Sequence, residues 1–141
     1  DSPRLDTKPM PLFEKYGMAL MKTQYYGGIK KYQWLSIPLA MYGTVYNEDG
    51  EKIDVVLGES NEDYTFVITD LLPHLAMEQM ERKLKEGIKG EDLNLLIGSI
   101  PYGDEKTSEK VKFNILKLLN EFGILLFLIS SLIRFISLSK Y

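Results

Sequence analysis

The chain has 141 residues, of which 45% are hydrophobic and 26% are charged, as in an ordinary single globular domain. A formal net charge of −3 argues against nucleic acid as a partner, because phosphate binding needs clustered lysine and arginine. The sequence contains no cysteine, which excludes disulfides, thiolate catalysis and cysteine-ligated metal centres within the chain.

The first part of the chain is predicted to be an irregular arm, residues 1–11, followed by a helix. The arm contains prolines and several charges, a composition typical of a terminus without regular structure. Apolar side chains in Leu12–Gln24 recur at three- and four-residue spacing, which predicts one face of a helix. Gly27 and Gly28 are expected to end that helix.

The middle of the chain is predicted to be rich in strands. Four apolar or β-branched runs are candidates: Tyr32–Leu39, Met41–Tyr46, Lys52–Leu57 and Tyr64–Leu71. Asp49-Gly50 lies between the second and third runs and predicts a hairpin, because glycine readily adopts positive φ.

A helix is predicted over Pro73–Glu86, and a buried strand over Leu93–Ile100. The inner face of the helix is predicted to consist of four apolar side chains, Ala76, Met77, Met80 and Leu84. Two ion pairs with i,i+4 spacing, Glu78–Arg82 and Glu81–Lys85, are predicted on the outer face. Residues 12–103 therefore predict an α+β domain with a small, mostly antiparallel sheet and one or two packed helices.

The last element is predicted to be one long helix over residues 107–141 that changes from amphipathic to hydrophobic. The twelve residues Phe122–Ile133 carry no charge, and we expect them to insert into a membrane as a single C-terminal span. The apolar residues of this predicted span are Phe122, Ile124, Leu125, Leu126, Phe127, Leu128, Ile129, Leu132 and Ile133. An interfacial helix and a helix packed on a protein partner are the alternatives.

Ser130, Arg134 and Ser137 share one face of this predicted helix. They are candidates for a helix–helix contact inside the membrane, where polar side chains hold helices together. The alternative is that the serines are merely tolerated and Arg134 extends its charge to the membrane surface.

No catalytic, cofactor-binding or metal-ligating residue is predicted. His74 is the single histidine and follows Pro73 at a helix start, which favours an exposed structural residue. The acidic stretches Asn47–Gly50 and Glu59–Asp63 lack the ligand spacing of a calcium loop. One basic and aromatic cluster, Lys30–Trp34, is interpreted as a charged strand entry.

The order of elements resembles the membrane-adjacent α+β domain of membrane proteases of the FtsH and mitochondrial m-AAA type. The matching elements are Tyr64–Asp70 as strand, Pro73–Glu86 as helix, Leu93–Ile100 as strand and Phe122–Leu138 as span. The ATP-binding loop and the zinc-binding His-Glu-x-x-His of that family are absent from the sequence. The resemblance therefore implies a non-catalytic segment or subunit.

The sequence thus predicts a non-enzymatic, membrane-anchored subunit or scaffold of a larger membrane protein complex. An organelle membrane is one of the locations that this prediction allows. The expected partners of the subunit are membrane lipid and other protein subunits, without a cofactor and without nucleic acid. Two alternatives are an extramembrane domain of a membrane AAA protease-like assembly, and a soluble binding domain whose last helix packs on a partner.

Overall fold

The computed structural model describes residues 4–46, 49–60, 64–103, 108–121 and 136–140. The strands are Arg4–Lys15 (β1), Met18–Tyr26 (β2), Leu39–Tyr46 (β3), Lys52–Leu57 (β4), Val67–Ile68 (β5), Leu95–Gly98 (β6) and Ile136–Lys140 (β7). The helices are Met77–Glu81 (α1), Leu84–Gly87 (α2) and Lys110–Glu121 (α3), with 3₁₀ helices at Lys31–Trp34 and Gly90–Asp92.

The seven strands form one sheet in the order β4-β3-β7-β1-β2-β6-β5. Every pair of neighbouring strands in this sheet is antiparallel. The strand β7 lies between β1 and β3, with Leu138 opposite Leu5 and Ser137 opposite Tyr42. The prediction of an α+β fold with a mostly antiparallel sheet is therefore confirmed.

The core lies between the sheet and α3. On α3, Val111, Ile115 and Leu119 recur every four residues and are buried, which gives the helix one apolar face. The sheet and its loops contribute fully buried side chains beneath it, among them Leu5, Met21, Leu39, Ile68, Leu93 and Leu95. This apolar contact holds the long helix on the sheet.

The helix predicted over Leu12–Gln24 is wrong, because this segment forms the hairpin between β1 and β2. The turn has positive φ at both Tyr16 (54°) and Gly17 (69°), as a two-residue hairpin turn requires, and Lys15 pairs with Met18. The spacing of apolar residues does not distinguish a helix from a strand in this segment, because Ala19, Leu20 and Met21 are buried consecutively in the strand β2. β1 also includes residues 4–11 of the predicted arm.

The hairpin predicted at Asp49-Gly50 is confirmed, since β3 and β4 pair along their length and Gly50 has φ +80°. The strand predicted over Tyr32–Leu39 is wrong over its first half, where Lys31–Trp34 forms a 3₁₀ helix. Trp34 is buried in that helix, and Leu35 forms an isolated bridge with Ile68, so this run packs on the core without forming one continuous strand.

The continuous helix predicted over Pro73–Glu86 is also wrong. Arg82 adopts an extended backbone conformation (φ −76°, ψ 154°) and separates α1 from α2. Of the predicted inner face, only Ala76 is buried, whereas Met77, Met80 and Leu84 are 66%, 64% and 68% exposed. Because the segment forms two short helices, Met77, Met80 and Leu84 do not form one buried apolar face.

The long C-terminal hydrophobic helix is not found in the described part of the chain. α3 ends at Glu121, and the next described residues, Ile136–Lys140, form the strand β7 within the sheet. The predicted span Phe122–Ile133, Ser130 and Arg134 lie outside the described residues, and Ser137 belongs to β7. Over the described ranges, no helix is long and apolar enough to cross a membrane.

Candidate functional site

A cavity of about 390 Å³ lies beside α1 and α2 and is the candidate functional site of the described structure. Its apolar lining consists of Leu35, Leu71, Leu75 and Ile88. Its polar lining consists of Thr69, Asp70, Glu78, Gln79, Arg82, Lys89, Asp92 and Asn94. A concave site with an apolar wall and several polar groups is the usual form of a ligand pocket.

One hydrogen bond ties α1 to Asp70 at this cavity, and one ion pair lies within the α1 segment itself. The carboxylate of Asp70 accepts hydrogen bonds from the backbone N–H of Leu71 at 2.8 Å and from Gln79 Nε2 at 3.2 Å. On the next turn, Arg82 donates to Glu78 at 2.6 Å, which confirms this predicted i,i+4 pair. The hydrogen bond from the Arg82 guanidinium is also the main reason that the pKa of Glu78 lies below its usual value.

The single histidine is exposed and lies in the turn that precedes α1. The backbone N–H groups of Leu75 and Ala76 both donate to the carbonyl of Leu72, and these bonds close the turn around His74. The position agrees with the interpretation of His74 as an exposed residue near a helix start.

The residues present do not fit a metal centre within the described ranges. A structural or catalytic zinc ion takes at least three protein ligands, usually histidine, cysteine or a carboxylate. Among the residues that the structure describes, no group of three such side chains is close enough to hold a metal ion. No catalytic step is therefore assigned to a metal at this cavity.

The basic and aromatic cluster around Lys31 is part of the core and its rim. Trp34 is 2% exposed, and the Lys31 ammonium lies 5.6 Å from the ring of Tyr25. In the acidic stretch after β4, Glu59 accepts a hydrogen bond from the Tyr42 hydroxyl. These contacts give Trp34, Lys31 and Glu59 structural roles in the fold.

A second cavity, of about 370 Å³, is apolar and lies between α3 and the sheet. Its walls include Leu57, Phe66, Ile97 and Leu118. Sequence reasoning did not find either cavity. The one sequence signal at the first cavity was the charge pair Glu78–Arg82, which indicated a helix and did not indicate a pocket.

Comparison with known proteins places this fold in an enzyme family. A family model described as aminopeptidase I zinc metalloprotease (M18) matches residues 1–127. A probable M18 family aminopeptidase 1 of Thermotoga maritima is 55% identical over 122 residues, which cover 86% of this chain and 26% of the relative. A second such protein, of Clostridium acetobutylicum, is 53% identical over 121 residues, with coverages of 86% and 26%.

Solved structures give the same result. The crystal structure of an M18 family aminopeptidase from Thermotoga maritima matches with a TM-score of 0.87 and 50% identity, over 99% of this chain and 30% of that chain. The crystal structure of aminopeptidase I from Clostridium acetobutylicum matches with a TM-score of 0.76 and 47% identity, over 86% and 26% of the two chains.

These findings correct the predicted family and function. The resemblance to FtsH and m-AAA proteases is wrong, because both sequence and fold match M18 aminopeptidases instead. The prediction of a non-enzymatic, membrane-anchored subunit is likewise wrong, because the matching family is one of zinc metalloproteases. The predicted membrane location and the predicted lipid and membrane-complex partners are wrong as well, because they depended on that anchor and the relatives are named as aminopeptidases.

The chain spans about a quarter of the length of the curated relatives that it matches. Within that length, the match to the family model covers most of the chain, at residues 1–127, and the identity to these relatives is above 50%. This chain therefore belongs to the M18 family of zinc metalloprotease aminopeptidases.

Proposed function

We propose that this chain works as part of a zinc-dependent aminopeptidase, which removes the N-terminal residue of peptides by hydrolysis. The observation that carries the proposal is the match over residues 1–127 to the M18 zinc metalloprotease family. The TM-score of 0.87 to an M18 aminopeptidase of known structure supports it, because sequence and fold agree over the same region.

Within such an enzyme, we assign a scaffolding role to the described residues. The seven-stranded sheet is closed on one side by α3, whose apolar face is buried against β1, β2 and β6. Burial of this kind gives a rigid support, and enzymes position their reactive groups on rigid elements. Because the described residues do not fit a zinc site, no metal ligand is assigned to them.

The proposal is tested with a protein of family length that contains this sequence. We expect it to release single N-terminal residues from unblocked peptides, as followed by mass spectrometry, to lose that activity with a chelator and to regain it with Zn²⁺. Peptides with an acetylated N-terminus are the control and should remain intact. Cleavage that persists after metal removal, or that occurs only at internal bonds, would overturn the proposal.

A further inference from the structure

The cavity beside α1 and α2 is lined by charged groups of both signs that remain available to a ligand. One is the ammonium of Lys89, and another is the carboxylate of Asp92. Among the residues that the structure describes, neither side chain forms an ion pair or a hydrogen bond. Asp70 accepts both of its hydrogen bonds through Oδ1, so Oδ2 keeps its capacity to accept another. The cavity therefore offers one cationic and two anionic groups.

The other charges at this cavity are already paired. Arg82 and Glu78 form an ion pair of 2.6 Å within the α1 segment. Hydrogen bonding and attraction from Arg82 lower the pKa of Glu78 most, and the positive charge of Lys89 lowers it further. Lys89 therefore lies close enough to α1 to act within the cavity, where it is the cation left for an anionic group of a ligand.

The backbone that carries two of the available charges is held in place by the 3₁₀ helix after α2. The N–H of Asp92 donates to the carbonyl of Lys89 at 3.1 Å, and the N–H of Asn94 donates to the carbonyl of Asp92 at 2.8 Å. Leu93 is 1% exposed, and its carbonyl accepts a hydrogen bond from the Thr23 hydroxyl of β2. Because these contacts fix the turn on the sheet, a ligand would not have to order this backbone on binding.

The same cavity has an apolar wall, which consists of Leu35, Leu71, Leu75 and Ile88. Ile88 is buried, and Leu35 forms a bridge with Ile68 of β5, so part of this wall is continuous with the core. The cavity volume of about 390 Å³ lies in the range of roughly 300–1,000 Å³ that is usual for small-molecule sites. The wall suits an apolar group of a ligand whose polar groups meet the charges.

We propose that this cavity binds a free α-amino acid with an apolar side chain. Its α-carboxylate pairs with Lys89, its α-ammonium with Asp70 and Asp92, and its side chain lies on the apolar wall. Such a zwitterion uses both signs of charge and the wall together, whereas an inorganic anion or a metal ion would use only one of the three. Binding does not depend on the proposed aminopeptidase function, although that reaction would release ligands of this class.

The first test is an NMR titration of this chain with L-leucine up to about 50 mM at low ionic strength. We expect saturable shifts of the backbone amide signals of Lys89, Asp92 and Asn94, with a dissociation constant below about 10 mM. L-leucinamide lacks the carboxylate, N-acetyl-L-leucine lacks the ammonium, and glycine lacks the side chain. Each of these three should bind about tenfold more weakly than L-leucine, because each loses one of the three contacts.

The second test changes the charges of the protein. Lys89→Met and Asp92→Asn remove one charge each at similar side-chain size, and each should weaken binding of L-leucine about five- to tenfold. Lys15→Met is the matched control, since Lys15 is exposed beside the turn of the first hairpin and does not line the cavity. The dispersion of the amide signals checks that each variant is folded.

Three results would overturn the proposal. The first is the absence of saturable shifts over the whole range of L-leucine concentration. The second is equal binding of L-leucine and either blocked derivative. L-leucinamide mimics the first residue of a peptide, so its equal binding would assign the cavity to peptide N-termini and rule out the contact with Lys89. The third is an affinity of Lys89→Met or Asp92→Asn equal to that of Lys15→Met.

Discussion

The carboxylate of Glu14, near the end of β1, accepts a hydrogen bond of 3.0 Å from the backbone N–H of Val111 in the first turn of α3. The same oxygen, Oε2, accepts a second hydrogen bond of 2.9 Å from the N–H of Lys112. The first N–H groups of a helix have no partner within the helix, and a negative charge there also interacts favourably with the helix dipole. A residue of the first hairpin thus caps the helix that closes the core.

Replacement of this cap should destabilise the fold. We expect Glu14→Ala to lower the free energy of unfolding by about 0.5–2 kcal/mol, the usual cost of losing an N-terminal cap. The measurement is urea unfolding followed by circular dichroism. Glu121→Ala is the control, since Glu121 is exposed at the other end of α3 and should change stability by less than about 0.5 kcal/mol. Equal effects of the two substitutions would contradict the capping role.

Gly58 is expected to be intolerant of any side chain. It has φ +93°, and a Cβ added there would lie 3.2 Å from the Leu39 carbonyl oxygen and 3.3 Å from the Tyr64 carbonyl oxygen, both backbone atoms. We expect Gly58→Ala to cost about 1–3 kcal/mol, because the strained φ and the close backbone cannot both relax. Gly28→Ala is the control. A Cβ added to Gly28 would have no atom beyond its chain neighbours within 4 Å, so this substitution should be nearly neutral in thermal unfolding. If Gly58→Ala left the stability unchanged, the positive φ and the close backbone contacts of Gly58 in the turn after β4 would be contradicted.

Truncation of the core should be costly at the centre of the sheet. Leu95 is 0% exposed on β6, between β2 and β5. We expect Leu95→Ala to lower the free energy of unfolding by about 2–5 kcal/mol, from lost apolar burial and the remaining void. Val56→Ala, at a half-exposed position, should change it by less than about 0.5 kcal/mol in the same denaturation experiment. A small loss at Leu95 would place that side chain outside the core.

The pKa of Asp54 should be lower than that of an ordinary aspartate. Hydrogen bonds from Lys52 Nζ at 3.0 Å and from Thr44 Oγ1 at 2.8 Å stabilise the charged carboxylate and lower this pKa. Because the folded-state pKa is depressed, any stabilisation is fully present above the unfolded value and is lost as pH falls through the folded pKa. We expect Thr44→Val to raise the Asp54 pKa in an NMR titration, whereas Thr44→Ser should keep it low. An unchanged value in Thr44→Val would rule out the hydroxyl as a cause.

The extent to which the fold followed from the sequence differs between elements. The strand Lys52–Leu57 and the hairpin at Asp49-Gly50 were predicted correctly, because turn chemistry is local and needs no distant partner. The first hairpin was predicted as a helix, because Tyr16-Gly17 carries a weaker turn signal and its flanking strands bury consecutive residues. The exposed face of α1 could not be predicted, since its orientation depends on contacts with Asp70 outside the helix.

The function could not be predicted from these residues for a physical reason. Metalloprotease chemistry is usually recognised from grouped metal ligands, whereas this sequence contains one histidine and no cysteine. The charge-free run Phe122–Ile133 is the most conspicuous feature of the sequence, and such a run predicts a membrane helix. The polar cavity beside α1 had no signature in sequence, because segments from residues 35 to 94 form it together.

The most direct measurement of the central claim is the activity of a chimaera. In the Thermotoga maritima M18 aminopeptidase, the region that corresponds to this chain is replaced by this sequence, which is 55% identical to it over 122 residues. If this chain is a working M18 segment, the folded chimaera should retain zinc-dependent aminopeptidase activity, with kcat/KM within about tenfold of the parent enzyme. A chimaera that folds and binds zinc but releases no N-terminal residues would contradict the account.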